Sequence, residues 1–138
     1  MIMMKQEKCM GTRSQIGYIN SETIQSIYCH YDGYVVGVGD TLIRYYSDDS
    51  IMRALIVLGS IRSLQRDLAN MPEEAFDPKF ASRDINTSKD IVEFLDYARY
   101  NGTEYAYLWT GEYFDAWQYD YRATEWVPID IYAIEDTE

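Results

Sequence analysis

The sequence predicts one α+β domain: an antiparallel sheet of about five strands, in the order ββ-αα-α-βββ, with about three helices packed on one face. Three observations carry this. Both ends of the chain alternate in steps of two, the middle spaces its apolar residues three and four apart, and 138 residues suit one domain with its own core. Apolar residues make up 47%, which excludes a disordered chain. Residues 1–11 read as a flexible N-terminal tail, 12–132 as the domain and 133–138 as an acidic C-terminal tail.

Taken in order, Arg13 to Ile19 reads as a first strand and Ile24 to Tyr31 as a second, joined by the turn Asn20-Ser21-Glu22-Thr23. Asp32-Gly33 ends the hairpin, and Gly37 and Gly39 make the next stretch a flexible connection. Asp40 is placed to cap a helix over Thr41 to Tyr46. Ser47-Asp48-Asp49-Ser50 caps a second helix, with Ile51, Leu55 and Leu58 as its stripe and Gly59 as its stop. Residues 65–87 read as a long surface excursion. Thr87-x-x-Asp90 resembles a capping box for a third helix, with Ile91, Phe94, Leu95 and Ala98 facing the core and Gly102 ending it. Three strands follow: Glu104 to Trp109, Tyr113 to Tyr121, and Trp126 to Ile129. Pro128 places the last at a sheet edge, since proline lacks a ladder donor. An open edge over residues 126–131 is a candidate for pairing with a second copy.

The net charge is −11, and it is unevenly spread: +2 over residues 1–20, −5 over 21–102 and −8 over 103–138. Such a balance argues against direct binding of duplex DNA, which needs clustered Lys and Arg. Aromatic residues are mostly tyrosine, 14 against 4 Phe and 3 Trp. Carboxylates and aromatics interleave over Glu104, Glu112, Tyr113, Asp115, Trp117, Tyr119, Asp120 and Tyr121, a candidate surface for a basic partner. A solvated sheet face with an acidic tail is the plainer alternative.

Ser26-Ile27-Tyr28-Cys29-His30-Tyr31-Asp32-Gly33-Tyr34 is the most unusual stretch. Adjacent strand residues point to opposite faces, so Cys29 and His30 do not pair as nucleophile and base, and no enzyme is expected. Zinc takes about four N/S/O ligands. Cys29, His30 and Asp32 match no standard zinc spacing, so no metal or cofactor is expected. Two readings stay open. One is structural. The other is a polar ligand patch of Arg13, Tyr28, His30, Asp32 and Tyr34, where an Arg beside tyrosines and a histidine suits a phosphate or a base. Met1-Ile2-Met3-Met4 is too short for a signal peptide's apolar region, no membrane-length apolar run exists, and two cysteines make no disulfide framework. The expected compartment is the cytoplasm.

The same residues carry a resemblance. Arg13-Ser14-Gln15-Ile16-Gly17-Tyr18, the Ser26-to-Tyr34 stretch, Gly37-Val38-Gly39-x-x-Leu42, Tyr45-Tyr46 and Leu58-Gly59-Ser60-Ile61-Arg62-Ser63-Leu64 look like a family of small phage, prophage and plasmid proteins. Glu104-Tyr105-Ala106-Tyr107-Leu108-Trp109 before a Gly-Glu turn is similar to that family's C-terminal strand. The likeness spans about two thirds of the chain; the residue after His30 is often Trp in that pattern and is Tyr31 here. The family has no assigned activity, so the resemblance implies a setting, the bacterial host cytoplasm, and no catalytic role. Small acidic phage proteins are often inhibitors of host defence, anti-CRISPR proteins among them. The leading expectation is therefore a non-enzymatic inhibitor that binds a host protein through its basic nucleic-acid-binding surface. The alternatives are a binder of a small nucleotide signal at Arg13, Tyr28 and His30, and a structural or regulatory phage protein without a ligand.

Overall fold

The computed structural model describes residues 11–70 and 85–132. The expected tails, apart from Gly11, and the larger part of the excursion lie outside the described residues. The fold is α+β, with six strands in one sheet ordered β3-β2-β1-β4-β5-β6.

Strands β1 (Ser14–Asn20) and β2 (Thr23–Cys29) form the expected hairpin. Its last pair is Asn20 with Thr23, and Ser21 takes the left-handed turn at φ 59°. β2 is shorter than expected. After Cys29 the backbone turns to Ile61 and Arg62, whose carbonyls accept from His30 N and Tyr31 N at 3.1 and 2.8 Å. The other edge of β1 pairs in parallel with β4 (Tyr105–Trp109), from Ser14 with Tyr105 to Tyr18 with Trp109. β5 (Phe114–Asp120) and β6 (Glu125–Ile129) complete an antiparallel meander, and β6 is the sheet edge as Pro128 predicts.

Helices divide between the two faces of this sheet, not on one as the sequence suggested. Helices α1 (Asp40–Tyr45) and α2 (Asp49–Ile56) cover the first face. Their Leu42, Met52, Leu55 and Ile56, with Tyr46, bury Ile16, Tyr18, Ile27, Cys29, Tyr107, Trp109 and Phe114. Helix α3 (Ile91–Tyr100) covers the second, where Phe94 and Ala98 bury Ile24, Ala106 and Leu108. The physical reason lies in β4. Tyr107 and Trp109 face one way, Ala106 and Leu108 the other, and all four are buried. A strand apolar on both sides needs a layer on each, since each fully buried large side chain contributes about 1.5–3 kcal/mol.

Several local expectations are corrected. Strand β3 (Asn86–Ser88) is the unforeseen sixth, pairing with β2 over Ile24 to Ser26. Thr87 lies in it and caps nothing. Asp90 is the cap of α3, accepting from Glu93 N at 2.9 Å, while Glu93 Oε1 accepts from Lys89 N at 2.8 Å. Gly37-Val38-Gly39 is not a flexible connection: Val35–Gly39 winds into a π-helical turn that leads straight into α1. Asp40 makes no cap bond; both its oxygens accept from Arg44 Nε, at 2.9 and 3.0 Å. Asp48 does cap α2, accepting from Ile51 N at 3.1 Å. The α2 stripe is Met52, Leu55 and Ile56, while Ile51 is exposed. Ile91 of α3 is likewise exposed.

Candidate functional site

Two surfaces hold the residues singled out by the sequence. The first lies where β1 begins and β2 ends. Gln15 pairs with Tyr28 in the ladder, and both face the second side of the sheet, while the Arg13 guanidinium lies toward Gly102. Tyr28 Oη and His30 Nδ1 are hydrogen-bonded at 2.9 Å. The His30 ring meets Tyr31 edge-on, with centroids 4.6 Å apart, and the Arg62 guanidinium lies over Tyr31 at 5.9 Å. Beneath them Gln15 Nε2 donates to Ser26 Oγ at 2.9 Å, and Asn101 Nδ2 donates to Gln15 Oε1 at 3.2 Å. Arg13 is tied through its backbone: its N–H donates to Glu104 Oε1 at 2.8 Å and its carbonyl accepts from Glu104 N. Its Nε is buried without a hydrogen-bond partner.

Contacts thus join Tyr28, His30, Tyr31 and Arg62 in one group and Gln15, Ser26 and Asn101 in another, with the Arg13 guanidinium beside Gly102. Asp32 and Tyr34 belong to a separate bond, in which Tyr34 Oη donates to Asp32 Oδ1 at 2.9 Å. His30 thus bonds to Tyr28, and Asp32 to Tyr34. Cys29 points the opposite way, into the first core, and burial pushes its thiol up to about 12. A neutral buried thiol is no nucleophile. Among the described residues, no group of three or more His, Cys, Asp or Glu is placed to hold a metal ion. Sequence reasoning missed Arg62 because its neighbour Ile61 meets Cys29 through a long-range parallel bridge. Gln15 was findable: it shares the alternation of Arg13, and a buried amide in a strand needs partners.

The second surface is the β5–β6 flank. Part of its aromatic content is spent on packing α3. Trp117 meets Phe94 edge-on at 6.3 Å, Tyr119 meets Trp126 at 5.3 Å, and Trp126 Nε1 donates to Leu95 O at 3.0 Å. Arg99 lies over Tyr119 and Tyr121, at 4.3 and 5.3 Å from their ring centres. Two carboxylates are also structural. Glu104 receives Arg13 N, and Asp120 Oδ1 accepts from Arg122 N and Ala123 N in the β5–β6 turn. Asp115 is partly buried, and that burial raises its carboxyl above the ordinary range. Glu112, Tyr113, Tyr121 and Glu125 are exposed.

No family model, curated protein or solved structure matches this chain.

The two surfaces differ in chemistry. The flank offers carboxylates and exposed phenol rings at a sheet edge. The β1–β2 end offers two arginines, a histidine and tyrosine rings set tilted or edge-on to it. No helix among the described residues is long and apolar enough to cross a membrane.

Proposed function

We propose that this chain is a non-catalytic binding protein whose β5–β6 flank docks on a basic surface of a partner, one that normally holds nucleic acid. One observation carries the reading. β6 is an edge strand of the sheet, and residues 103–132, which build that flank, hold a single basic residue, Arg122, against six carboxylates. Exposed Tyr113 and Tyr121 add rigid apolar area with a hydrogen-bonding tip, the kind of side chain that anchors interfaces. The motif likeness to small phage proteins supports a host defence protein as the partner and inhibition as the outcome.

Purified chain added to a panel of nucleic-acid-handling defence proteins tests this. Inhibition of nucleic-acid binding is expected for one of them, with an affinity that falls as salt rises. Glu112→Lys with Glu125→Lys, both exposed, is expected to weaken inhibition at least tenfold. Inhibition untouched by the reversal overturns the reading.

A further inference from the structure

Strand β5 carries phenol rings at both ends, and the two ends are served differently. At its C-terminal end the chain supplies its own cation. The Arg99 guanidinium lies 4.3 Å from the Tyr119 ring centre and 5.3 Å from that of Tyr121, and the two rings meet edge-on at 5.2 Å. Arg99 Nη1 also donates to Thr103 O at 3.1 Å, which fixes the guanidinium against the rings. At the N-terminal end stands Tyr113. Its carbonyl accepts from Thr110 N at 2.9 Å, and its N–H donates to Thr110 Oγ1 at 3.3 Å. These bonds continue the β4–β5 register past Trp109 and Phe114, so Tyr113 and Asp115 fall on the same side of the strand. Tyr113 is 48% exposed, and among the described residues no cation or second ring lies against it. Glu112 beside it is exposed, Asp115 is partly buried, and no Lys or Arg occurs between Gly102 and Arg122.

From this asymmetry we infer that the Tyr113 end of β5 takes an arginine of the partner, in preference to a lysine. The incoming guanidinium lies on the Tyr113 ring, as Arg99 lies on Tyr119, and its N–H fork meets the carboxylates of Glu112 and Asp115. The inference rests on the docking surface proposed above and names the side chain that this surface reads. A guanidinium is planar, weakly hydrated and forked, so it stacks on a ring and bonds a carboxylate at the same time. The lysine ammonium is a compact, strongly hydrated point charge, which satisfies the carboxylates but gains less from the ring. Charge alone does not tell the two apart, since each brings one positive charge. A free ring set among carboxylates does.

Fluorescence anisotropy on the full chain tests it, with labelled octa-arginine and octa-lysine peptides at one ionic strength. The chain is expected to bind octa-arginine about fivefold more tightly than octa-lysine, the scale of one stacked guanidinium. Tyr113→Leu should bring the two affinities together by weakening octa-arginine alone, whereas Tyr113→Phe keeps the ring and keeps the difference. Tyr100→Leu, at the exposed end of α3, should leave the difference unchanged. The basic-partner reading answers to a separate arm, in which Glu112→Lys with Glu125→Lys must weaken both peptides. Equal affinities that both fall under this reversal overturn the arginine inference and leave that reading standing. A preference for octa-arginine that survives Tyr113→Leu, or that Tyr100→Leu removes equally, also overturns the inference. Peptides that fail to bind at millimolar concentration overturn both.

Discussion

The ring of Phe94 occupies the space that a side chain at position 17 would fill. A methyl built on Gly17 meets Phe94 Cε1 at 2.9 Å and Ile24 Cγ2 at 3.2 Å. Phe94 is fully buried and is the main side chain that α3 lowers onto the sheet. Gly17 is thus the socket for the second layer. Gly17→Ala is expected to cost about 1–3 kcal/mol by overpacking. Phe94→Ala is expected to cost about 3–5 kcal/mol. Phe94→Leu should be less harmful in the Gly17→Ala background than alone, because the two residues share one space. Urea unfolding of the four chains checks this, and simple additivity would refute the socket.

Cys29 should be chemically silent in the folded protein. Its thiol is fully buried and held neutral up to about 12. With Cys9→Ser to remove the other thiol, a thiol reagent should label nothing until denaturant is added. The sign for stability follows. The unfolded thiol ionises near 9.0 while the folded one stays protonated to about 12. The unfolded state therefore binds fewer protons in that window, and stability falls as pH rises through it. Cys29→Ala should flatten the fall, although Tyr46, also pushed up to about 12 by burial, leaves part of it in place.

Asp115 carries a mild strain of the same kind. Partial burial raises its carboxyl, so folding favours the protonated form. Its contribution is most favourable below the ordinary carboxylate range and is lost as pH rises through the raised value. Asp115→Asn should raise the melting temperature at neutral pH and leave it unchanged in acid. A gain of equal size at both pH values would contradict the burial argument.

Pro128 guards the sheet edge. A proline in an edge strand leaves its missing N–H on the outer side, so β6 offers an incomplete row of donors to another strand. Pro128→Val restores a donor and adds a β-branched residue beside exposed Val127. Sedimentation should show the variant self-associating at concentrations where the parent does not. Equal masses for the two chains would show that the edge is protected by charge alone.

Much of this fold is legible residue by residue. The hairpin, the Asp48 cap, the β4 alternation and the edge position of β6 all follow from local chemistry. The second helical layer was also written in the chain. Ala106 and Leu108 alternate with Tyr107 and Trp109, so β4 has no polar face to give to water. At two of the misread places local propensity gave way to a distant contact. Gly39 serves close approach: a side chain there would meet Tyr107 Cε1 at 3.2 Å. Asn86-Thr87-Ser88 is too short and polar to show a period, and it becomes a strand only because β2 lies alongside. At the candidate site, Tyr28 and His30 stand two residues apart and meet on one face, while Arg62 arrives through a connection of long sequence separation.

The parallel seam between β1 and β4 has a consequence for how the chain is born. Arg13 and Glu104, 91 positions apart, stand at its start. The hairpin ends at Cys29 and β4 begins only at Tyr105, so the inner edge of β1 has no partner until the residues between them have been made. Until then that edge is an open template, lined by side chains that later become the centre of both cores. A seam between segments so far apart in sequence carries the loop-closure cost of a non-local contact.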